Sequence, residues 1–315
     1  TLFPYTTLFR LEPPRRGNLS IPDGVPTFRN KFGLSAFGLG VDKSMRERLI
    51  GSFSWKRVLR SLLLIPVFVY LGLSLIAWLF ADSLLFRPQP TPFKDNSATI
   101  KLKKTNGETI SAKFYVNDSA AYTIMFSHGN AEDIGTIEPF VLKLRNAGFS
   151  VFVYDYEGYG TSTGKPSEAN TYADINAAFR YLVDNRNIPA DRIILHGRSL
   201  GGGPSVDLAA REPVAGLILE STFTSASRVL TRYRILPFDR FENIDKLPSA
   251  ACPVLIIHGK LDATIPFHHG EELFSVVKGP KSSLWIDNAG HNNVLNAAGE
   301  TYLSAIQSFA QLLSK

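Results

Sequence analysis

The sequence predicts an α/β fold: a mostly parallel eight-stranded sheet with helices on both faces, preceded by one transmembrane helix. Three observations carry that expectation. Eight short runs rich in β-branched and aromatic residues lie between residues 98 and 287. Amphipathic stretches alternate with the later runs, and a run without charge, Ser61 to Ala81, precedes them all. Short apolar strands that alternate with helices bury a parallel sheet on both faces.

Residues 1–44 show no sustained period and are rich in Pro, Gly and Arg, so they are expected to be a non-native or disordered leader. Its first ten residues, TLFPYTTLFR, are what the codons ACA CTC TTT CCC TAC ACG ACG CTC TTC CGA encode, a run in a widely used DNA-sequencing adapter. Residues 1–10 are therefore expected to be an assembly scar, with Met45 as the native start. Residues 1–60 carry 11 Lys/Arg against 4 Asp/Glu, whereas residues 61–315 carry 23 against 24. The overall charge of +6 thus belongs to the leader, and the body has no basic face for nucleic acid. A single cysteine, Cys252, excludes an intrachain disulfide and reads as a small core residue.

Residues 45–84 are expected to be a basic flank and membrane anchor. MRERLIGSFSWKRVLR leads into SLLLIPVFVYLGLSLIAWLFA; about 20 helical residues span a hydrocarbon core of about 30 Å. Pro66 is tolerable there, and no A-x-A cleavage site follows, so the helix reads as retained. Lys43, Arg46, Arg48, Lys56, Arg57 and Arg60 crowd its N-terminal side. The positive-inside rule then keeps the N-terminus cytoplasmic and puts the body on the extracytoplasmic side.

After the proline-rich linker FRPQPTPFKD, one α/β domain is expected over residues 85–315. Its strand candidates are ATIKLKK, ISAKFYV, YTIMFSH, FSVFVYD, RIILHG, VAGLILE, PVLIIHG and SSLWID. The first two are consecutive, which predicts an antiparallel start to the sheet. Helices are expected over Ile137–Ala147, Ser167–Asn185, Gly201–Arg211, His268–Val277 and Asn296–Leu313.

RIILHGRSLGGGP puts Gly197-Arg198-Ser199-Leu200-Gly201 at a strand-to-helix junction, the setting of a nucleophile elbow. The glycines let the backbone pass while Ser199 stands free at the strand end. A serine nucleophile needs a base, and the base an orienting acid. Asp262, in LIIHGKLDATIP, and His291, in IDNAGHNN, follow the last two strands and complete the order Ser, Asp, His.

On these residues the chain resembles the alpha/beta-hydrolase superfamily. SHGNAED resembles its oxyanion loop, which implies that the N–H groups of Asn130 and Leu200 form the oxyanion hole. YDYEGYGTSTG resembles its D-Y-x-G-Y-G-x-S turn, with Glu157 where relatives often carry Arg. With the anchor, the resemblance points to a membrane-anchored branch that includes depalmitoylases and bacterial serine aminopeptidase-like relatives. It implies hydrolysis of an acyl ester or thioester, such as a lipid or an acylated protein, with no cofactor or metal.

Glu220, which ends a strand, rivals Asp262 as the acid, while Asp155 fits the family turn better than that role. The other histidines have structural readings: His128 shapes the oxyanion loop, His196 and His258 end strands, and His268 with His269 starts a helix. Ser221 to Ala251 stands where relatives carry a cap. It reads either as a lid whose aromatics, among them Phe223, Tyr233 and Phe238, line an acyl pocket, or as a solvated helix with Arg228 and Arg232 on one face. A peptidase of the aminopeptidase type would use the same three residues, with Glu132 or Glu220 holding the substrate amine. A binding module on the same fold is the third reading.

Overall fold

The computed structural model describes residues 54–313. The leader expected over residues 1–44, the scar, the Met45 start and most of the basic flank lie outside the described residues. Residues 1–61 and Leu62–Lys315 separate as two units, of which the second holds the sheet and the site.

Helix α1, Trp55–Leu85, covers the uncharged run, with Pro66 inside it. It is long and apolar enough to cross a membrane. The sheet has eight strands: β1 Ile100–Lys103, β2 Thr109–Tyr115, β3 Thr123–Ser127, β4 Ser150–Tyr154, β5 Ile193–Arg198, β6 Gly216–Glu220, β7 Val254–Gly259 and β8 Lys281–Ile286. Their spatial order is β1-β2-β4-β3-β5-β6-β7-β8. β1 and β2 pair antiparallel, β2 meets β4 antiparallel, and every pairing among β3 to β8 is parallel.

The remaining helices are α2 Glu138–Asn146, α3 Glu168–Arg180, α4 Gly202–Ala209, α5 Asn243–Lys246, α6 His268–Val276, α7 Val294–Ala298 and α8 Glu300–Leu313. Successive strand residues point to opposite faces, so each buried strand feeds two cores. Met125, Phe152, Leu195, Leu217 and Ile256 pack with α3, α4 and α6. Their neighbours Phe126, Val153, Ile194, Ile218 and Leu255 pack with α2 and α8.

Three stretches differ from expectation: the helix expected over Ser167–Asn185 is α-helical to Arg180 and continues as a π-turn, Tyr181–Asn185. The last helix breaks at Gly299, whose φ of +57° ends α7 before α8 begins. The stretch around Arg228 is not a helix but a single 3-10 turn, Ser227–Val229. Asp239 explains it. Its carboxylate accepts from Ser225 Oγ at 2.6 Å, Ser227 N at 2.8 Å, Ser227 Oγ at 2.5 Å and Arg240 N at 2.8 Å, which folds the segment back on itself instead of letting it propagate a helix.

Candidate active site

Parallel strands end together, so the C-terminal ends of β3 to β8 share one edge of the sheet, and the loops that follow them converge there. β5 ends at Arg198, and the next residue, Ser199, has a φ of +52°. That left-handed conformation is rare for a residue with a side chain. The turn is tight enough to exclude one at its neighbours. A Cβ on Gly197 would lie 2.4 Å from the Gly201 carbonyl oxygen, and one on Gly201 would lie 2.0 Å from that of Ser127. The strain is held from outside as well, since Thr222 Oγ1 donates to the Ser199 carbonyl at 2.7 Å.

The loops after β7 and β8 bring Asp262 and His291 to the serine. His291 Nε2 lies 3.0 Å from Ser199 Oγ, and His291 Nδ1 lies 2.7 Å from Asp262 Oδ2. With the Nδ1 proton donated to the carboxylate, Nε2 is left to accept the serine proton. Asp262 is rigidly placed: its other oxygen accepts from Thr264 N at 2.9 Å and Ile265 N at 2.8 Å. Burial pushes this carboxyl up. Hydrogen bonds from His258 and His291 and from the Ile265 N–H outweigh that and hold it well below the usual carboxylate range.

Glu220, the rival acid, is committed elsewhere. Its Oε2 lies 3.0 Å from His196 Nε2 and accepts from Tyr302 Oη at 2.6 Å. Cys252 is buried in the core, and burial pushes its thiol up to about 11. Among the described residues, no group of three or more His, Cys, Asp or Glu side chains comes together as a metal site.

The loop after β3 lies against the serine; a Cβ on Gly129 would come within 3.7 Å of Ser199 Cβ. Asn130 and Leu200 both line the cleft. Three contacts that hold this loop were not foreseen from the sequence. Gly129 N donates to Glu132 Oε2 at 2.7 Å, and Glu132 Oε1 accepts from Arg198 Nη2 at 2.5 Å. Tyr156 Oη donates to the His128 carbonyl at 2.8 Å. The Asn130 side chain accepts from Tyr159 Oη at 2.6 Å and Arg87 N at 2.9 Å, and donates to the Leu85 carbonyl at 2.6 Å. Glu157, the departure from the family turn, is buried against Lys104 at 2.5 Å, with Asn106 and Asn170 both donating at 2.8 Å.

A cleft of about 870 Å³ opens over Ser199. Phe223 and Phe238 line it, as expected of the Ser221–Ala251 segment, but Tyr233 does not. Tyr233 is 74% exposed, in the irregular stretch that follows the 3-10 turn Ser227–Val229.

Residues 118–241 match the family model described as serine aminopeptidase, S33. The chain is 41% identical over 226 residues to the human alpha/beta hydrolase domain-containing protein 17B, covering 70% of this chain and 77% of that one. It is 43% identical over 205 residues to the Xenopus tropicalis protein of the same name, covering 64% and 71%. Among solved structures, a Pyrococcus furiosus esterase aligns at a TM-score of 0.61 with 16% identity, over 72% of this chain and 97% of that one.

Proposed function

Because the chain belongs to the alpha/beta hydrolase domain-containing protein 17 family of serine hydrolases, we propose that it cleaves a carboxylic ester or thioester through Ser199, His291 and Asp262. The carrying observation is the unbroken contact chain from Ser199 Oγ to His291 to Asp262, at 3.0 and 2.7 Å, whose first two members line the cleft.

Ser199 Oγ attacks the acyl carbon while its proton passes to His291 Nε2. Asp262, held ionised by its donors, keeps the imidazole oriented and stabilises its charged form. The carbonyl oxygen, now negative, is taken by the N–H groups of Asn130 and Leu200. Collapse expels the alcohol or thiol, which receives the proton from His291 and leaves the acyl group on Ser199. A water molecule then gives its proton to His291 and attacks the acyl carbon; collapse breaks the bond to Ser199 Oγ, which takes the proton back from His291 as the acid leaves.

A peptidase reading has the matched family description in its favour but needs a free carboxylate to hold a substrate amine. Glu132 is paired with Arg198 and Glu220 with His196 and Tyr302, which favours the ester reading.

The apolar helix supports membrane anchoring, and the basic residues that precede it in the sequence support a cytoplasmic N-terminus with the catalytic domain extracytoplasmic. An apolar tip stands beside it: Leu230 and Ile235 are 91% and 57% exposed, and Tyr70 Oη donates to the Ile235 carbonyl at 2.8 Å. Exposed apolar patches of this kind mark surfaces that meet a partner or a membrane. Protease protection of the domain in sealed vesicles tests the orientation.

The reaction itself is tested on the full chain in detergent micelles with a fluorophosphonate probe, read by intact mass. One adduct that Ser199→Ala loses is expected. A folded chain with no adduct would sink the hydrolytic role of Ser199 and favour a binding module.

A further inference from the structure

Helix α1 does more than tether. Along it, Ser74 is buried, while Ala77, Ala81, Asp82 and Leu85 are half-buried, in a run otherwise exposed on nearly every residue. Tyr70, Ser74, Ala77, Ala81 and Leu85 recur at four, three, four and four residues, the spacing of one helix face. That face meets the Ser221–Ala251 segment. Tyr70 bonds Ile235 at one end, and Arg240 Nε reaches Asp82 Oδ1 at 3.2 Å at the other. The small residues lie between these two ties, and Ala77 and Ala81 line the cleft over Ser199 together with Phe223 and Phe238. Small side chains on a helix leave room beside it, and here the space is apolar and leads to the nucleophile.

We propose that the last turns of α1 form a wall of the acyl groove and that Ala77 and Ala81 set the chain length it accepts. The proposal rests on the ester or thioester reading above. A groove that buries an acyl chain gains about four-fold in affinity per methylene, so a bulkier residue that blocks several methylenes penalises long chains selectively.

The test uses the full chain in detergent micelles and a series of p-nitrophenyl esters from butyrate to palmitate. Ala77→Phe and Ala81→Phe are expected to lower the ratio of long-chain to short-chain kcat/KM by ten-fold or more. Leu79→Phe, on the exposed face of the same helix, is expected to leave that ratio within two-fold of the parent. Ratios within two-fold for both alanine variants, or an equal fall in Leu79→Phe, would overturn the wall. Fluorophosphonate labelling of every protein separates the two ideas. If the parent is not labelled, the hydrolytic reading fails; if all are labelled and the ratios stay level, only the wall fails.

Discussion

Two of the chain's carboxylate–imidazole pairs lie near the ends of neighbouring parallel strands. Glu220 meets His196 at 3.0 Å, and Asp262 meets His291 at 2.7 Å. Both carboxylates are buried, and in both the partners' hydrogen bonds outweigh burial and hold the acid below its usual range. The difference is what lies beyond the imidazole. His196 belongs to β5 itself and packs edge-on against Phe126 at 4.9 Å, while Tyr302 closes the other side of Glu220. His291 sits on a loop past β8, is partly open to the cleft, and has Ser199 on its far nitrogen. The same pair of groups is inert when the strand holds it and can be reactive when a loop presents it.

The sharpest way to break this comparison is to remove each acid without changing its size. Asp262→Asn is expected to lower kcat by about 10⁴-fold, because the amide selects the wrong imidazole tautomer. Glu220→Gln is expected to lower it less than about 10-fold. Steady-state ester hydrolysis of the two variants decides, and a larger loss in Glu220→Gln would reverse the assignment.

Next in size is the strut behind the oxyanion loop. Glu132→Ala removes both the Gly129 N–H contact and the Arg198 pair. It is expected to cost about 10–10² in kcat with KM little changed, somewhat less than the loss of an oxyanion donor outright. A rise in KM at constant kcat would make Glu132 a substrate contact instead.

The inert pair should register in stability where the reactive one registers in rate. Glu220→Gln is expected to cost about 2–4 kcal/mol, because His196, Tyr302 and Arg198 all lose a buried anion. Denaturant unfolding of the full chain in detergent measures it, and an unchanged midpoint would show that the network adds nothing to the fold.

The smallest effect concerns His269, a buried imidazole that has no carboxylate partner. Burial, followed by the neighbouring His268 and His258, pushes it down to about 4. Its Nδ1 lies 2.9 Å from Thr224 Oγ1. Between about pH 6.5 and 4 the unfolded chain takes up a proton there and the folded chain does not. Stability from this group is therefore present above pH 6.5 and falls as the pH drops towards 4. His269→Gln should flatten that part of the Tm–pH curve, and an identical slope in both proteins would exclude the group as its source.

Local patterns carried much of this into the sequence. The eight strands follow from β-branched runs of four to seven residues, and the two-faced burial of the central ones from runs that stay apolar on successive residues. The elbow was legible because Gly197 and Gly201 flank Ser199 at a junction where a Cβ cannot fit. The order Ser199, Asp262, His291 placed three polar residues after strands that end on one edge. The face of α1 left a trace too: small residues at helical spacing are visible in the text, although their partner is not.

The sequence by itself determined what is short-range: where strands and helices run, where the chain turns sharply, and which residue types reach the sheet edge. Only the tertiary structure put Asp262 rather than Glu220 against His291, left Tyr233 outside the cleft, and turned the Asn130 side chain to the end of α1. These outcomes depend on pairs far apart in the chain: 92 residues for Ser199 with His291, 66 for Arg198 with Glu132, and 45 for Asn130 with Leu85. Periodicity and turn chemistry act over a few residues, so nothing local distinguishes one buried carboxylate from another. That choice falls to packing, which sets how far each strand-end loop reaches and what already occupies the space beside it.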